Sequence, residues 1–436
     1  MIEVITSDDH AGRTRKLAQI ASRNIVFDAA LLASVGAVVD DVRRRGDAAL
    51  LEYTARFDGV TLRADELRVP EMVLHTTAAR ASDEVRAALH EAVRRVRLFH
   101  ERQREESWTM TDGNGTVLGQ RVRPLERAGL YVPGGTASYP SSVVMNVVPA
   151  QVAGVQRIIV VTPPRALHDN PTVAAALCEL GVNEVYQVGG AQAVAALAFG
   201  TETVPRVDKI TGPGNKYVTA AKKLVFGAVG IDSLAGPSEV LIIADETARP
   251  DYIAADLLAQ AEHGTDASAV LATTSAELAH AVLTELDKQL AVLPRYAVAA
   301  ASLRDYGAIF LVENVAAACV LADEIAPEHL EIAMADAAKV AHNINHAGAI
   351  FLGHDTPEAV GDYLAGPNHV LPTGGTARFA SALGVYDFVK RTSLLEFKPA
   401  EMRRLAPLVA TLAGAEGLAG HARSARIRAE KEIATK

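Results

Sequence analysis

Two series of short apolar runs, each cut off by glycine or proline and followed by a stretch of helical spacing, limit what this chain can become. The first series lies at 129–132, 157–162, 184–188 and 208–211; the second lies at 240–244, 269–272, 308–312 and 349–352. A strand buried on both faces reads as a continuous apolar run, and joining two parallel strands takes a crossover of a dozen or more residues, usually a helix. The alternation therefore predicts βαβ units and two Rossmann-like α/β sheets with mainly parallel strands. No sequence repeat relates the two series. At 436 residues the chain exceeds what one hydrophobic core usually serves, so more than one domain is expected.

Helical spacing dominates the flanks. Residues 28–56 and 82–106 read as covering helices, the second opened by Ser82 with Asp83 and Glu84 in its first turn. The second series of strands is expected to share its domain with these N-terminal helices. After Leu371 the signals weaken to two helical segments, 399–412 and 416–433. Two helices enclose no core of their own, so the tail is expected to pack on something else, such as another subunit.

Charge and composition exclude several classes. A net charge of -9 with acids and bases mixed throughout leaves no broad electropositive face for nucleic acid. The opening residues lack the basic start and apolar run of a signal peptide, and no segment has the apolar length of a membrane span. A soluble cytoplasmic protein is expected. The two cysteines, Cys178 and Cys319, sit in apolar helical patterns and read as buried structural thiols rather than nucleophiles or ligands.

Candidate chemistry gathers late in the chain, where eight of the 13 histidines follow residue 260. In Pro327-Glu328-His329-Leu330 an acid and an imidazole adjoin at an element junction. That suits a pair moving two protons, or a helix start with a surface histidine. Gln260 and His263, three apart near the end of a helical run, could meet one metal ion, or His263 could cap the helix before Gly264. In Gly361-Asp362-Tyr363-Leu364-Ala365-Gly366-Pro367-Asn368-His369, Asp362 could ligate a metal and His369 contact substrate, though Gly-Pro-Asn also makes an ordinary turn. Glu416 and His421 converge on one ligand only if the glycines between them break the helix. No GxGxxG or GxxxxGK[ST] fingerprint is present. Gly189-Gly190-Ala191-Gln192 and Gly212-Pro213-Gly214-Asn215 nevertheless lie at strand-to-helix turns, where backbone amides could face a cofactor.

Together with Tyr131-Val132-Pro133-Gly134-Gly135 and Gly236-Pro237-Ser238-Glu239, these stretches resemble the histidinol dehydrogenases in order and spacing through most of the chain. The resemblance implies zinc- and NAD-dependent oxidation of L-histidinol through L-histidinal to L-histidine, with NAD used twice. It implies one zinc per site held by Gln260, His263 and Asp362 of one subunit and His421 of its partner. Ser238, His369 and Glu416 complete a substrate pocket with the zinc ligands and His329. Tyr131, Gln192 and Asn215 match the family's NAD site. His329 is implied as the base for the alcohol proton, and Glu328 as the group that activates water for the aldehyde step. The implied organisation is an N-terminal arm at 1–24 and a discontinuous α/β domain at 25–130 and 239–373 carrying zinc and the acid/base pair. An NAD-binding Rossmann-like domain at 131–238 and a C-terminal dimerisation arm at 374–436, exchanged between the subunits of a homodimer, complete it.

Overall fold

A computed structural model of the chain describes residues 2–23, 27–134 and 139–430. Gly135 of the first glycine-rich turn and residues 431–433 of the last expected helix lie outside them. In chain order the strands begin with β1 (Glu3–Ile5), β2 (Trp108–Thr111), β3 (Val117–Pro124) and β4 (Arg127–Tyr131). Next come β5 (Arg157–Thr162), β6 (Glu184–Gln187), β7 (Lys209–Thr211), β8 (Gly230–Ile231) and β9 (Glu239–Ala244). The last are β10 (Ser268–Thr273), β11 (Ala308–Leu311), β12 (His329–Ala333), β13 (Ala349–Leu352) and β14 (Val389–Glu396). The chain divides into two compact units, 1–103 with 125–388 and 104–124 with 389–436.

The first unit holds two all-parallel sheets of α/β type, in the order β6-β5-β4-β7-β8 and β1-β11-β10-β9-β12-β13. Alternate residues of the inner strands enter opposite cores, the period-two pattern of a sheet covered on both faces, while the edge strand β13 leaves Ile350 and Leu352 exposed. Leu130, Val132 and Val160 pack with the helices Asp83–Glu101 and Pro140–Ala153. Tyr131, Ile159 and Val161 pack with Ala29–Arg45 and Gly190–Phe199. The helix Asp83–Glu101 starts where Ser82 accepts a hydrogen bond from Val85 N, and it buries Leu89, Val93, Val96 and His100 on one stripe.

Parity also aims the polar residues of β12. Leu330 and Ile332 join Leu241 and Ile243 in one core, while Ala333 joins Val240, Ile242 and Leu257 in the other. His329 and Glu331 share the parity of Ala333, so both face the helix Pro250–Ala261. In each sheet the chain runs outward from a central strand and then restarts on its other side. The restarts fall between β4 and β7 and between β9 and β12. Such switch points open a crevice between neighbouring connections.

The second unit is an antiparallel sheet, β14-β3-β2, with two helices, Pro399–Ala415 and Ala419–Ala429. The helices meet through Ala410, Ala413 and Ala422. Leu408, Val409, Leu412 and Ile427 remain exposed. Among the described residues, no helix is long and apolar enough to cross a membrane.

Candidate active site

A pocket of about 350 Å³ in the first unit gathers groups from the carboxyl side of the β4/β7 switch point and from the N-terminal ends of β9 and β12. Gly212 and Asn215 come from the turn after β7, Ser238 from the residue before β9, and Glu328 and His329 from the start of β12. His263, Asp362 and His369 complete its polar wall. The catalytic candidates thus sit at the N-terminal ends of β9 and β12, facing the C-terminal ends of the other sheet's strands.

The helix Val315–Ile325 stops at Ala326, which takes a left-handed φ of 50° directly before Pro327. A non-glycine residue held there stores local strain and turns the chain sharply. Gly348 lies so close to Glu328 O that a Cβ would meet it at 2.5 Å, which is why glycine stands there. Glu328 is buried and accepts a hydrogen bond from Glu239 N at 3.0 Å. Burial pushes its carboxyl up to about 7. His329, also buried, directs Nδ1 at Glu239 O, 3.1 Å away. Donation there leaves Nε2 as the basic nitrogen, and Nε2 has no hydrogen-bond partner among the described residues. Burial alone would lower the imidazole's pKa, but Glu358, Glu328 and Asp362 outweigh it and raise it to about 10.

Of the metal candidates of this unit, His263 and Asp362 line the pocket and Gln260 does not. Gln260 is fully buried on the helix Pro250–Ala261, and neither atom of its amide finds a hydrogen-bond partner among the described residues. An orphaned buried amide costs about 1–3 kcal/mol, so the position calls for a partner. His263 does not share that helix, which ends at Ala261. Its ring folds back so that Nδ1 lies 3.0 Å from Ala259 O, which leaves Nε2 free to bind. Burial alone would raise Asp362, yet His329, His369 and His263 hold its carboxyl below the usual range. His369 Nδ1 reaches Asp362 O at 3.0 Å, and burial lowers its pKa. Among the described residues no group of three His, Cys, Asp or Glu is close enough to hold a metal unaided. A set of one amide, one imidazole and one carboxylate still offers three donors of the types a zinc ion accepts, one donor short of a tetrahedron.

The three cofactor candidates diverge. Asn215 lines the pocket, but its Oδ1 accepts from Tyr217 N and Val218 N as the cap of the helix Lys216–Val225. Tyr131 is buried at the end of β4; its hydroxyl accepts from Gly190 N at 3.1 Å, and burial pushes its pKa to about 12. Gln192 is buried behind this turn, with both amide atoms unpartnered among the described residues. Glu416 and His421 belong to the second unit, where Glu416 ends one helix and His421 lies in the first turn of the next. Burial raises the thiol pKa of both Cys178 and Cys319, away from nucleophilic use.

Residues 22–429 match the family model described as histidinol dehydrogenase. The chain belongs to the histidinol dehydrogenase family. A histidinol dehydrogenase of Geobacter sulfurreducens is 54% identical over 394 residues, covering 90% of this chain and 91% of that one. One of Geobacillus kaustophilus is 53% identical over 395 residues, covering 90% and 93%. The crystal structure of histidinol dehydrogenase from Elizabethkingia anophelis superposes with a TM-score of 0.91 at 34% identity, covering 98% of each chain. Histidinol dehydrogenases are NAD-dependent oxidoreductases of the final steps of histidine biosynthesis, and this chain is an enzyme of that class.

Two residues of this histidinol dehydrogenase family member carry more of the site than the sequence conveyed. Glu239 closes the Gly-Pro-Ser-Glu stretch; its main chain bonds both Glu328 and His329, and its side chain pairs with buried Arg23 at 2.6 Å. Glu358 opens the short helix Glu358–Tyr363, buried, with Oε1 3.6 Å from His329 Nδ1. Its spacing of four from Asp362 was the available signal, since i and i+4 share a helix face.

Proposed function

We propose that this enzyme oxidises L-histidinol through L-histidinal to L-histidine in the cytoplasm, with one zinc ion per site and two NAD consumed in succession. The reading is carried by the convergence of Glu328, His329, His263, Asp362, His369 and Ser238 on one pocket, beside an amide of Gln260 that lacks a partner among the described residues. Gln260, His263 and Asp362 would hold the ion, with His421 of a partner subunit as the fourth donor. Bound there, zinc orients the amino alcohol as a Lewis-acidic template, and NAD accepts the hydrides. Tyr131, Gln192 and Asn215 mark the cofactor side, and the β4/β7 switch point supports that placement.

The chain's own groups then divide the proton work. His329 would take the alcohol proton on Nε2, the nitrogen left without a partner among the described residues by the contact of Nδ1 with Glu239 O. Glu328, poised near neutrality by burial, takes a proton from the water that adds to the aldehyde. Ser238, His369 and Glu416 would hold the substrate's polar ends. The exposed Leu408, Val409, Leu412 and Ile427 of the C-terminal unit support an arm exchanged in a homodimer. Of the division into an arm at 1–24, an α/β domain at 25–130 with 239–373, an NAD domain at 131–238 and a dimerisation arm at 374–436, the proposed NAD domain takes with it β4 and the helices Ala29–Arg45 and Asp83–Glu101 that cover its sheet, and the proposed arm takes 104–124.

The deciding experiment is NADH yield. Purified protein given L-histidinol and NAD should form close to two NADH per histidine, and chelation should abolish the reaction until zinc is restored. One NADH with aldehyde accumulating, or no NADH, overturns the reading.

A further inference from the structure

At the β4/β7 switch point the strand pairing stops one residue short of the turn, and a buried ion pair takes over. Thr211 is the last residue of β7 and lies opposite Leu130, while β8 on the other side ends at Ile231, opposite Ile210. Gly212 therefore has no ladder partner on either side, and Pro213 after it has no N–H to offer. Its φ of 114° suits glycine, and a Cβ there would collide with Tyr131 O. Gly212 N donates to Asp232 Oδ2 at 2.8 Å, and Gly212 O accepts from Lys222 Nζ at 3.1 Å. Lys222 Nζ also pairs with Asp232 Oδ1, and each of the two side chains is 4% exposed.

The pair ties together the elements that carry the cofactor candidates. Asp232 is anchored by its own N–H, which donates to Ile210 O of β7 at 3.1 Å. Lys222 is buried on the helix Lys216–Val225, whose cap is Asn215. Gly212 packs on the main chain of Tyr131, and the Tyr131 hydroxyl accepts from Gly190 N at the turn that leads to Gln192. Gly212, Asn215 and Asp232 line the pocket, and Lys222 does not. With one oxygen on Gly212 and the other on Lys222, the carboxylate of Asp232 is committed within the wall and not to a ligand. A buried ion pair is a weak source of stability, because the cost of desolvating two charges offsets their attraction.

We propose that Lys222 and Asp232 are positioning residues for the cofactor: gripping Gly212 by its N–H and its carbonyl, they hold Asn215 and the start of its helix in the register with Tyr131 that binds NAD. This rests on the function proposed above, which assigns Tyr131, Gln192 and Asn215 to NAD. The pair's own bonds go to Gly212, to Ile210 and to each other, so its effect falls on cofactor affinity and not on the acid/base chemistry. Without the pair, both main-chain groups of Gly212 lose their partners and the turn gains other arrangements. NAD binds only the fraction of molecules in the competent one, so a turn that is competent about a tenth of the time binds it about tenfold more weakly.

The test combines Lys222→Met with Asp232→Leu in one chain, which removes both charges together and leaves no unpaired buried ion. Asp232→Asn is the conservative variant, since its amide oxygen still accepts from Gly212 N. In the zinc-loaded dimer, titration calorimetry with NAD alone should show Kd raised about tenfold or more in the double variant and about threefold in Asp232→Asn, in keeping with the bonds each loses. KM for NAD should follow Kd, while KM for L-histidinol and zinc content stay unchanged. A pair that served stability alone would lower the urea midpoint and leave Kd for NAD where it was. That result in a folded double variant overturns the proposal, and so do losses shared equally by NAD and L-histidinol. Should the double variant fail to fold, Asp232→Asn decides by the same readings. A wild type that forms no NADH from L-histidinol instead removes the proposed function, which is a different outcome from an active wild type whose cofactor affinity ignores the pair.

Discussion

His329 points Nδ1 at the main-chain carbonyl of Glu239, 3.1 Å away. That contact fixes the tautomer of the neutral ring and turns Nε2 toward Asp362, whose Oδ1 lies 3.8 Å off. The neighbouring acid is held from the same residue, since Glu239 N donates to Glu328. One residue of β9 therefore sets the attitude of both acid/base candidates.

Because Glu328 and His329 are held separately, their losses should be separable. Glu328→Gln keeps the hydrogen bond from Glu239 N while removing the base, so aldehyde oxidation should fall by about 10²-fold or more and alcohol oxidation by much less. Single-turnover traces starting from L-histidinol and from L-histidinal measure the two halves. Equal losses would reject the division of roles.

Glu239 is in turn anchored by Arg23, which is buried and also donates to Ile20 O, Ser238 O and Asp266 O. Removing one partner of a buried pair leaves an uncompensated charge, so Arg23→Met should cost about 3–5 kcal/mol. Arg23→Lys should also destabilise, since an ammonium cannot span the same forked set of acceptors. Urea unfolding monitored by circular dichroism reads both, and midpoints that match the wild type would contradict the anchoring role.

The sheets were legible because most of their strands are buried on both faces: β4, β5, β6, β7, β9, β10 and β11 fall on the apolar runs, as does β13, which exposes Ile350 and Leu352 on one face. β12 was hidden because His329 and Glu331 occupy alternate positions of a buried strand, so its run is broken where the chemistry sits. β14 was hidden for the opposite reason: its residues are mostly exposed, and its register is fixed by β3, where Thr392 pairs with Arg121 far away in sequence. Periodicity likewise does not say which sheet a helix covers, and Ala29–Arg45 packs with Tyr131 and Ile159 of the five-stranded one. At the site, motif spacing singled out Glu328, His329, Asp362 and His369, which share the pocket. Glu239 and Glu358 escaped because what they do depends on a main-chain contact and on burial, neither of which spacing encodes.

Asp256 gives a pH signature of its own. Burial raises it from the ordinary 3.8 to about 6, against the opposing hydrogen bond from Glu331. The folded protein then binds this proton more tightly than the unfolded chain. The stability it contributes is full below pH 3.8 and is lost as pH rises through about 6. Compared with Asp256→Asn, the wild type should lose stability across that window and run parallel above it. Denaturation midpoints of the two proteins at a series of pH values measure the difference, and a gap that widens in the wild type's favour with rising pH would refute the raised carboxyl.

The proposed sharing of the site between two chains makes the sharpest demand. His263 lies in the first unit and His421 in the second, and the proposed zinc site takes one from each of two chains. His263→Ala and His421→Ala homodimers should each bind little zinc and turn over slowly, since each site lacks one donor. Refolded together, the two variants form mixed dimers in which one site lacks both histidines while the other keeps both. About one working site per mixed dimer should return, with zinc and activity rising in the same proportion. Recovery of neither would mean that each chain completes its own site.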